Sequence, residues 1–86
     1  MYDVEFSNSS KKFLVKTEKE FCARIIEKIE KLSENPFPQD CKRVEGRKEK
    51  VFRIRVGKYR IMYVVFQEQN KLFVSEIAKR SKIYDD

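Results

Sequence analysis

A chain of 86 residues can form one small domain, and its content of 41% hydrophobic and 13% aromatic residues excludes a disordered tail. No apolar run approaches the roughly 20 residues of a transmembrane helix. The net charge of +6 is uneven: residues 1–40 hold seven Lys or Arg against eight Asp or Glu, and residues 41–86 hold thirteen against six. A basic half of this kind favours a polyanionic partner, nucleic acid above all, over a generally solvated surface.

The first 40 residues predict one strand followed by two helices. Residues 2–6 alternate apolar and acidic side chains, which is the period of a strand, and Ser7 and Asn8 can cap a short helix that runs to about Lys16. Residues 17–20 read Thr-Glu-Lys-Glu, the form of a capping box, and predict a second helix through about Ser33. Its apolar stripe comprises Phe21, Cys22, Ile25, Ile26, Ile29 and Leu32.

The second half predicts antiparallel strands. Residues 43–45 form a short strand in a basic connector, and residues 51–66 form a hairpin with Gly57 and Lys58 in a type II′ turn. Residues 72–78 form a last strand with apolar side chains on both faces, so its inward face cannot be assigned. The predicted fold is therefore α+β, with two helices covering one face of an antiparallel sheet.

The hairpin has two different faces. A two-residue turn places Arg55 opposite Arg60 and Arg53 opposite Met62, and the other face then carries apolar side chains, Tyr59 and Tyr63 among them, that can cover a core. Like charges directly opposite each other destabilise a sheet. Folding does not require that arrangement, and a polyanionic ligand would compensate for it.

The remaining composition restricts the chemistry. Two cysteines, Cys22 and Cys41, cannot supply the four ligands of a zinc site, no glycine-rich phosphate loop is present, and neither a metal nor a cofactor is expected. Free thiols and the lack of a leader sequence favour the cytoplasm. A cluster of arginines suits phosphodiester binding, and RNA can be cut without a metal by its own 2′-hydroxyl. On these residues alone, RNA binding without cleavage is equally compatible.

Besides the strand–helix–helix opening of the chain, three stretches resemble the RelE toxins of the RelE/ParE superfamily of toxin–antitoxin systems. They are Arg43-Val44-Glu45-Gly46, the hairpin over residues 52–63, and the ending Lys79-Arg80-Ser81-Lys82-Ile83-Tyr84. The resemblance covers nearly the whole chain and implies a single RelE-like domain over residues 1–86. It further implies a metal-independent endoribonuclease that enters the ribosomal A site, cuts mRNA through 2′-OH attack and inhibits translation.

By position, the resemblance also implies site residues. Those matching the catalytic set are Arg53, Arg55, Arg60, Arg80 and Tyr84, with Tyr84 stacking on a base. Basic residues expected to bind RNA are Arg43, Lys48, Lys50, Lys79 and Lys82. Many relatives have a histidine where this chain has Lys79, and arginine cannot act as a general base near neutral pH. The proton acceptor is therefore open among Tyr84, Lys79, Lys82 and Glu45.

The implied partners are a RelB-like acidic antitoxin, the ribosome and mRNA, without a membrane. The free toxin is expected to be a monomer that forms a larger assembly with its antitoxin. Two alternatives stay open: a ParE-like gyrase poison on the same fold, which acts on a protein target, and a non-catalytic RNA-binding module.

Overall fold

Two helices pack against one face of a five-stranded sheet in the computed structural model, which describes residues 1–79. The α+β class and the two-helix layer are thus as predicted. The elements in chain order are β1 (Asp3–Phe6), α1 (Asn8–Lys16), α2 (Lys19–Glu34), β2 (Lys42–Arg43), β3 (Val51–Val56), β4 (Tyr59–Phe66), a 3₁₀ turn (Gln67–Gln69) and β5 (Lys71–Lys79).

The sheet is mixed rather than wholly antiparallel. Its strand order is β1-β5-β4-β3-β2, and β1 runs parallel to β5 while the other neighbours are antiparallel. Parallel neighbours need a long connection, and here the two helices and the hairpin come between β1 and β5 in the sequence. The first strand therefore joins the sheet beside the last one, a pairing that leaves no local signal in the sequence.

Serine side chains attach the start of α1 to β5. The Ser7 hydroxyl accepts from the Ser10 backbone N–H at 3.1 Å and donates to the Ser75 carbonyl oxygen at 2.8 Å, so Ser7, one of the two predicted caps, is the N-cap. The buried Ser10 hydroxyl donates to the Val74 carbonyl oxygen at 3.2 Å. Helix α1 is consequently held where β1 and β5 meet.

Two local predictions were wrong in detail. The Thr17 hydroxyl donates to the Phe13 carbonyl oxygen at 2.7 Å, so it closes the end of α1 and does not form a capping box. Helix α2 instead begins after Glu18, whose side chain makes no capping hydrogen bond. Strand β2 has two residues rather than three and starts one residue earlier, at Lys42.

The hairpin register is as predicted. Arg55 lies opposite Arg60, and Val56 lies opposite Tyr59 across the turn. Gly57 has φ +57°, and Asn70 is the one non-glycine residue with positive φ in the described chain, so Lys58 keeps the negative φ that a type II′ turn requires. A Cβ built on Gly57 would lie 3.5 Å from Arg24 Nη2, which is an ordinary contact, so lack of space does not require glycine here. The positive φ does.

A β-bulge in β5 explains why its inward face could not be assigned from sequence. Val74 pairs with Tyr63 and Glu76 pairs with Met62, which leaves Ser75 as the extra residue. The extra residue shifts the alternation, so that Leu72 and Val74 and then Ile77 all face the helices.

The core lies between α2 and the middle strands. Ile25, Ile29 and Leu32 of α2 are buried against Ile61 and its strand neighbours. The rings of Phe13 and Phe21 meet Tyr59 edge-on, with centroids 5.6 and 5.4 Å away. Within residues 1–79, neither helix has the length and apolar character needed to cross a bilayer.

Replacing Tyr63 with phenylalanine is expected to lower the free energy of unfolding by about 1–3 kcal/mol. The Tyr63 hydroxyl is fully buried and donates to the Pro36 carbonyl oxygen at 2.7 Å, and burial raises the pKa of its phenol. The variant would leave that carbonyl without its donor. Urea unfolding measures the loss, with the half-buried Tyr2→Phe as the control expected to change little. Equal stability of Tyr63→Phe and the parent chain would contradict the role of this bond.

Candidate nucleic-acid interface

The strands bring basic side chains together on the side of the sheet that faces away from the helices. Residues opposite each other in an antiparallel pair point to the same face, and Lys42 pairs with Arg53 while Arg55 pairs with Arg60. Arg53 and Arg55 alternate with the core residue Ile54, which fixes them on the opposite side. We refer to the surface formed by Lys42, Arg53, Arg55 and Arg60 as the arginine face.

The four basic residues of the arginine face differ in exposure. Arg53 and Arg60 are only 3% and 1% exposed, whereas Arg55 and Lys42 are exposed. Arginine keeps its charge even when buried, so the two covered guanidinium groups are positive charges fixed in position beneath the surface. Electrostatic interactions are stronger in such surroundings than in bulk water. The exposed Arg55 is thus placed to meet a ligand directly, with further positive charge behind it.

A cavity of about 220 Å³ opens at the arginine face, lined by Asp40, Lys42, Arg53, Ile54 and Arg55. Its volume is several times the roughly 30 Å³ that one water molecule occupies in the liquid. Three basic side chains and one carboxylate therefore share a space that can admit part of a ligand.

Other predicted RNA-binding residues lie elsewhere. Arg43 pairs with Phe52, which faces the helices, and Lys48 and Lys50 are exposed in the connector before β3. Lys79 pairs with the core residue Tyr59. Lys79 also lines a larger cavity of about 720 Å³ on the helix side, together with Lys12, Phe13 and Lys16. Three further predicted residues, Arg80, Lys82 and Tyr84, lie outside the described residues.

The structure adds two residues that the sequence reasoning missed. Lys42 pairs with Arg53, whereas its neighbour Arg43 pairs with Phe52. Only the register of β2 decides which of the two lies on the arginine face, and the sequence does not give that register. Asp40 lies in the turn between α2 and β2, where no periodic pattern indicates a direction, and its Oδ2 accepts from Lys28 Nζ at 3.2 Å. Both side chains line the cavity at the arginine face. Among residues 1–79, no group of three or more His, Cys, Asp or Glu side chains is placed to hold a metal ion.

Comparison with known proteins identifies the family. Residues 4–84 match the family described as the ParE toxin of the type II toxin–antitoxin system parDE. The inferred toxin RelE1 of Methanocaldococcus jannaschii is 39% identical over 61 residues, which cover 67% of each chain. The chain is a RelE-family toxin of a type II toxin–antitoxin system.

Solved structures share the fold of this RelE-family toxin. It superposes on the archaeal RelE–RelB complex of Pyrococcus horikoshii with a TM-score of 0.81 and 24% identity, covering 95% of this chain and 98% of the other. The toxin–antitoxin complex RelBE2 of Mycobacterium tuberculosis gives a TM-score of 0.78 and 25% identity, covering 92% and 98%. Both relatives were solved as complexes of a toxin with its antitoxin.

Proposed function

We propose that this RelE-family toxin binds mRNA on the ribosome through the arginine face and cleaves it in the A site, which inhibits translation. The observation that carries the proposal is the meeting of Lys42, Arg53 and Arg55 around one cavity. Arg60 adds a buried charge beside them, opposite Arg55. A concave site with several fixed cations suits a phosphodiester, whose negative charge grows in the transition state.

The chemistry needs no metal, because the nucleophile belongs to the RNA. The ribose 2′-oxygen attacks the adjacent phosphorus and loses its proton to a base, while the bond from phosphorus to the 5′-oxygen breaks and that oxygen takes up a proton. The products are a 2′,3′-cyclic phosphate and a 5′-hydroxyl. Arg53 and Arg55 stabilise the extra charge on the phosphorane and hold the attacking oxygen in line.

The roles of the remaining residues follow from the family resemblance. Arg80 adds charge beside the phosphate, and Tyr84 stacks on a base next to the scissile bond. Lys48, Lys50 and Arg43 attract RNA by charge without reaching the reacting atoms. Lys79 lies on the helix side of the sheet and is therefore poorly placed as the proton acceptor.

The antitoxin is the partner that keeps this site inactive. The solved relatives are complexes with RelB-type antitoxins, and an acidic segment of such a partner would be attracted to the basic half of this chain. We place the toxin in the cytoplasm, where ribosomes are, as a monomer when free and in a larger assembly when its antitoxin is bound.

A gyrase poison is the second candidate. One observation favours it: residues 4–84 match a family whose description names the ParE toxin. A poison of this kind binds a protein target and has no need of cations converging on a phosphate. The arginine face therefore favours the nuclease. An RNA-binding module without activity would keep the cations and lack cleavage.

Two assays on the same induced cells separate these functions. Primer extension on a reporter mRNA is expected to reveal cuts within codons that vanish when initiation is blocked, because cleavage needs a translating ribosome. Plasmid supercoiling is expected to stay unchanged. Relaxed or broken plasmid with intact mRNA would establish the gyrase poison instead. Translation arrest without cuts would reduce the toxin to an RNA-binding module.

A further inference from the structure

One carboxylate lies among the cations of the arginine face. Asp40 lines the same cavity as Lys42, Arg53 and Arg55, and it is the one acidic side chain among the residues that form that cavity in the described chain. More than half of its side-chain surface, 59%, is exposed. Solvent and a ligand can therefore both reach it.

Among residues 1–79, the arginines that line this cavity are not suited to take a proton. Arginine stays protonated at any pH a cell experiences, so Arg53 and Arg55 cannot act as a base. An ionised carboxylate accepts hydrogen bonds through both oxygens, so the contact of Asp40 Oδ2 with Lys28 Nζ leaves it able to accept from a further donor.

We propose that Asp40 is the proton acceptor for the attacking 2′-hydroxyl, an inference that rests on the nuclease function proposed above. The proton passes from the 2′-hydroxyl to the Asp40 carboxylate as the bond from the 2′-oxygen to phosphorus forms. The bond to the 5′-oxygen breaks, that oxygen is protonated by water, and Asp40 then returns its proton to solvent. Atoms and charge balance without a metal or a cofactor.

A purely structural role is the competing explanation. The ion pair between Asp40 and Lys28 joins the loop before β2 to helix α2, and its loss could shift the arginine face. Exposed ion pairs contribute little to stability, and removing either partner breaks the contact equally. Lys28 does not line the cavity at the arginine face, so changing it removes the ion pair while the Asp40 carboxylate stays in place.

The test compares Asp40→Asn, Asp40→Glu and Lys28→Gln in single-turnover cleavage of mRNA on purified programmed ribosomes, with toxin in excess. Asp40→Asn is expected to cleave about 10²–10⁴-fold more slowly, the usual contribution of a positioned base. Asp40→Glu should recover part of that rate, and Lys28→Gln should stay within a few-fold of the parent toxin. Ribosome binding, measured by co-sedimentation, should be the same for all.

Several results would overturn the assignment. Equal losses of cleavage rate in Asp40→Asn and Lys28→Gln would show that Asp40 acts through its ion pair with Lys28. An unchanged rate in Asp40→Asn would exclude Asp40 as the base. A loss in Asp40→Asn explained by weaker ribosome binding would make Asp40 a docking residue. Failure of the nuclease function itself is distinguishable, because the parent toxin would then leave mRNA uncut in the same assay.

Discussion

Arg55→Gln is expected to reduce mRNA cleavage on the ribosome by about 10²–10³-fold without destabilising the fold. Arg55 is the exposed guanidinium at the cavity, so its loss removes direct charge stabilisation of the phosphorane. It also lies opposite Arg60, and removing one of two opposed like charges should leave the free energy of unfolding equal or slightly higher. Cleavage and thermal unfolding are measured on the same preparations.

Lys58→Gln is the matched control for Arg55→Gln. It removes the same charge from the same hairpin, but Lys58 Nζ lies over the rings of Phe21 and Tyr59, 4.9 and 5.7 Å from their centroids, on the helix side. Its cleavage rate should therefore remain close to that of the parent toxin. If both variants lose activity to the same extent, net charge rather than the arginine face determines cleavage.

The second large effect is expected at Tyr84. Stacking on a base is worth about 1–3 kcal/mol, so Tyr84→Ala should lower cleavage by roughly one to two orders of magnitude. Tyr84→Phe keeps the ring and should retain most activity. The comparison is made by single-turnover cleavage on programmed ribosomes. If Tyr84→Phe is as inactive as Tyr84→Ala, the hydroxyl carries the proton, and the assignment of that role to Asp40 fails as well.

The parts of the fold that follow from local pattern could be predicted from sequence. The hairpin register, with Arg55 opposite Arg60, depends only on alternation and a two-residue turn at Gly57. The parallel pairing of β1 with β5 could not be predicted, because it joins residues 68 positions apart, such as Asp3 and Lys71. The bulge at Ser75 was equally hidden, since one extra residue reverses the faces of a strand.

The candidate site was predictable to the same extent. Arg53, Arg55 and Arg60 reached a common face because they belong to one hairpin. Lys42 and Asp40 belong to the irregular chain before β3, where a shift of one residue exchanges Lys42 with Arg43. The exposure of each arginine was also beyond the sequence pattern, because burial depends on what neighbouring elements cover.

The position of β5 bears on how the toxin is made. This strand lies between β1 and β4, yet residues 71–79 are synthesised after every other strand of the described chain. Until they emerge from the ribosome, β1 has no neighbouring strand, and one edge of β4 lacks the strand that pairs with it. Contacts of such large sequence separation form slowly, so we expect the sheet to be completed late in folding. We therefore expect that a chain still being translated through residues 1–70 has not yet completed its five-stranded sheet.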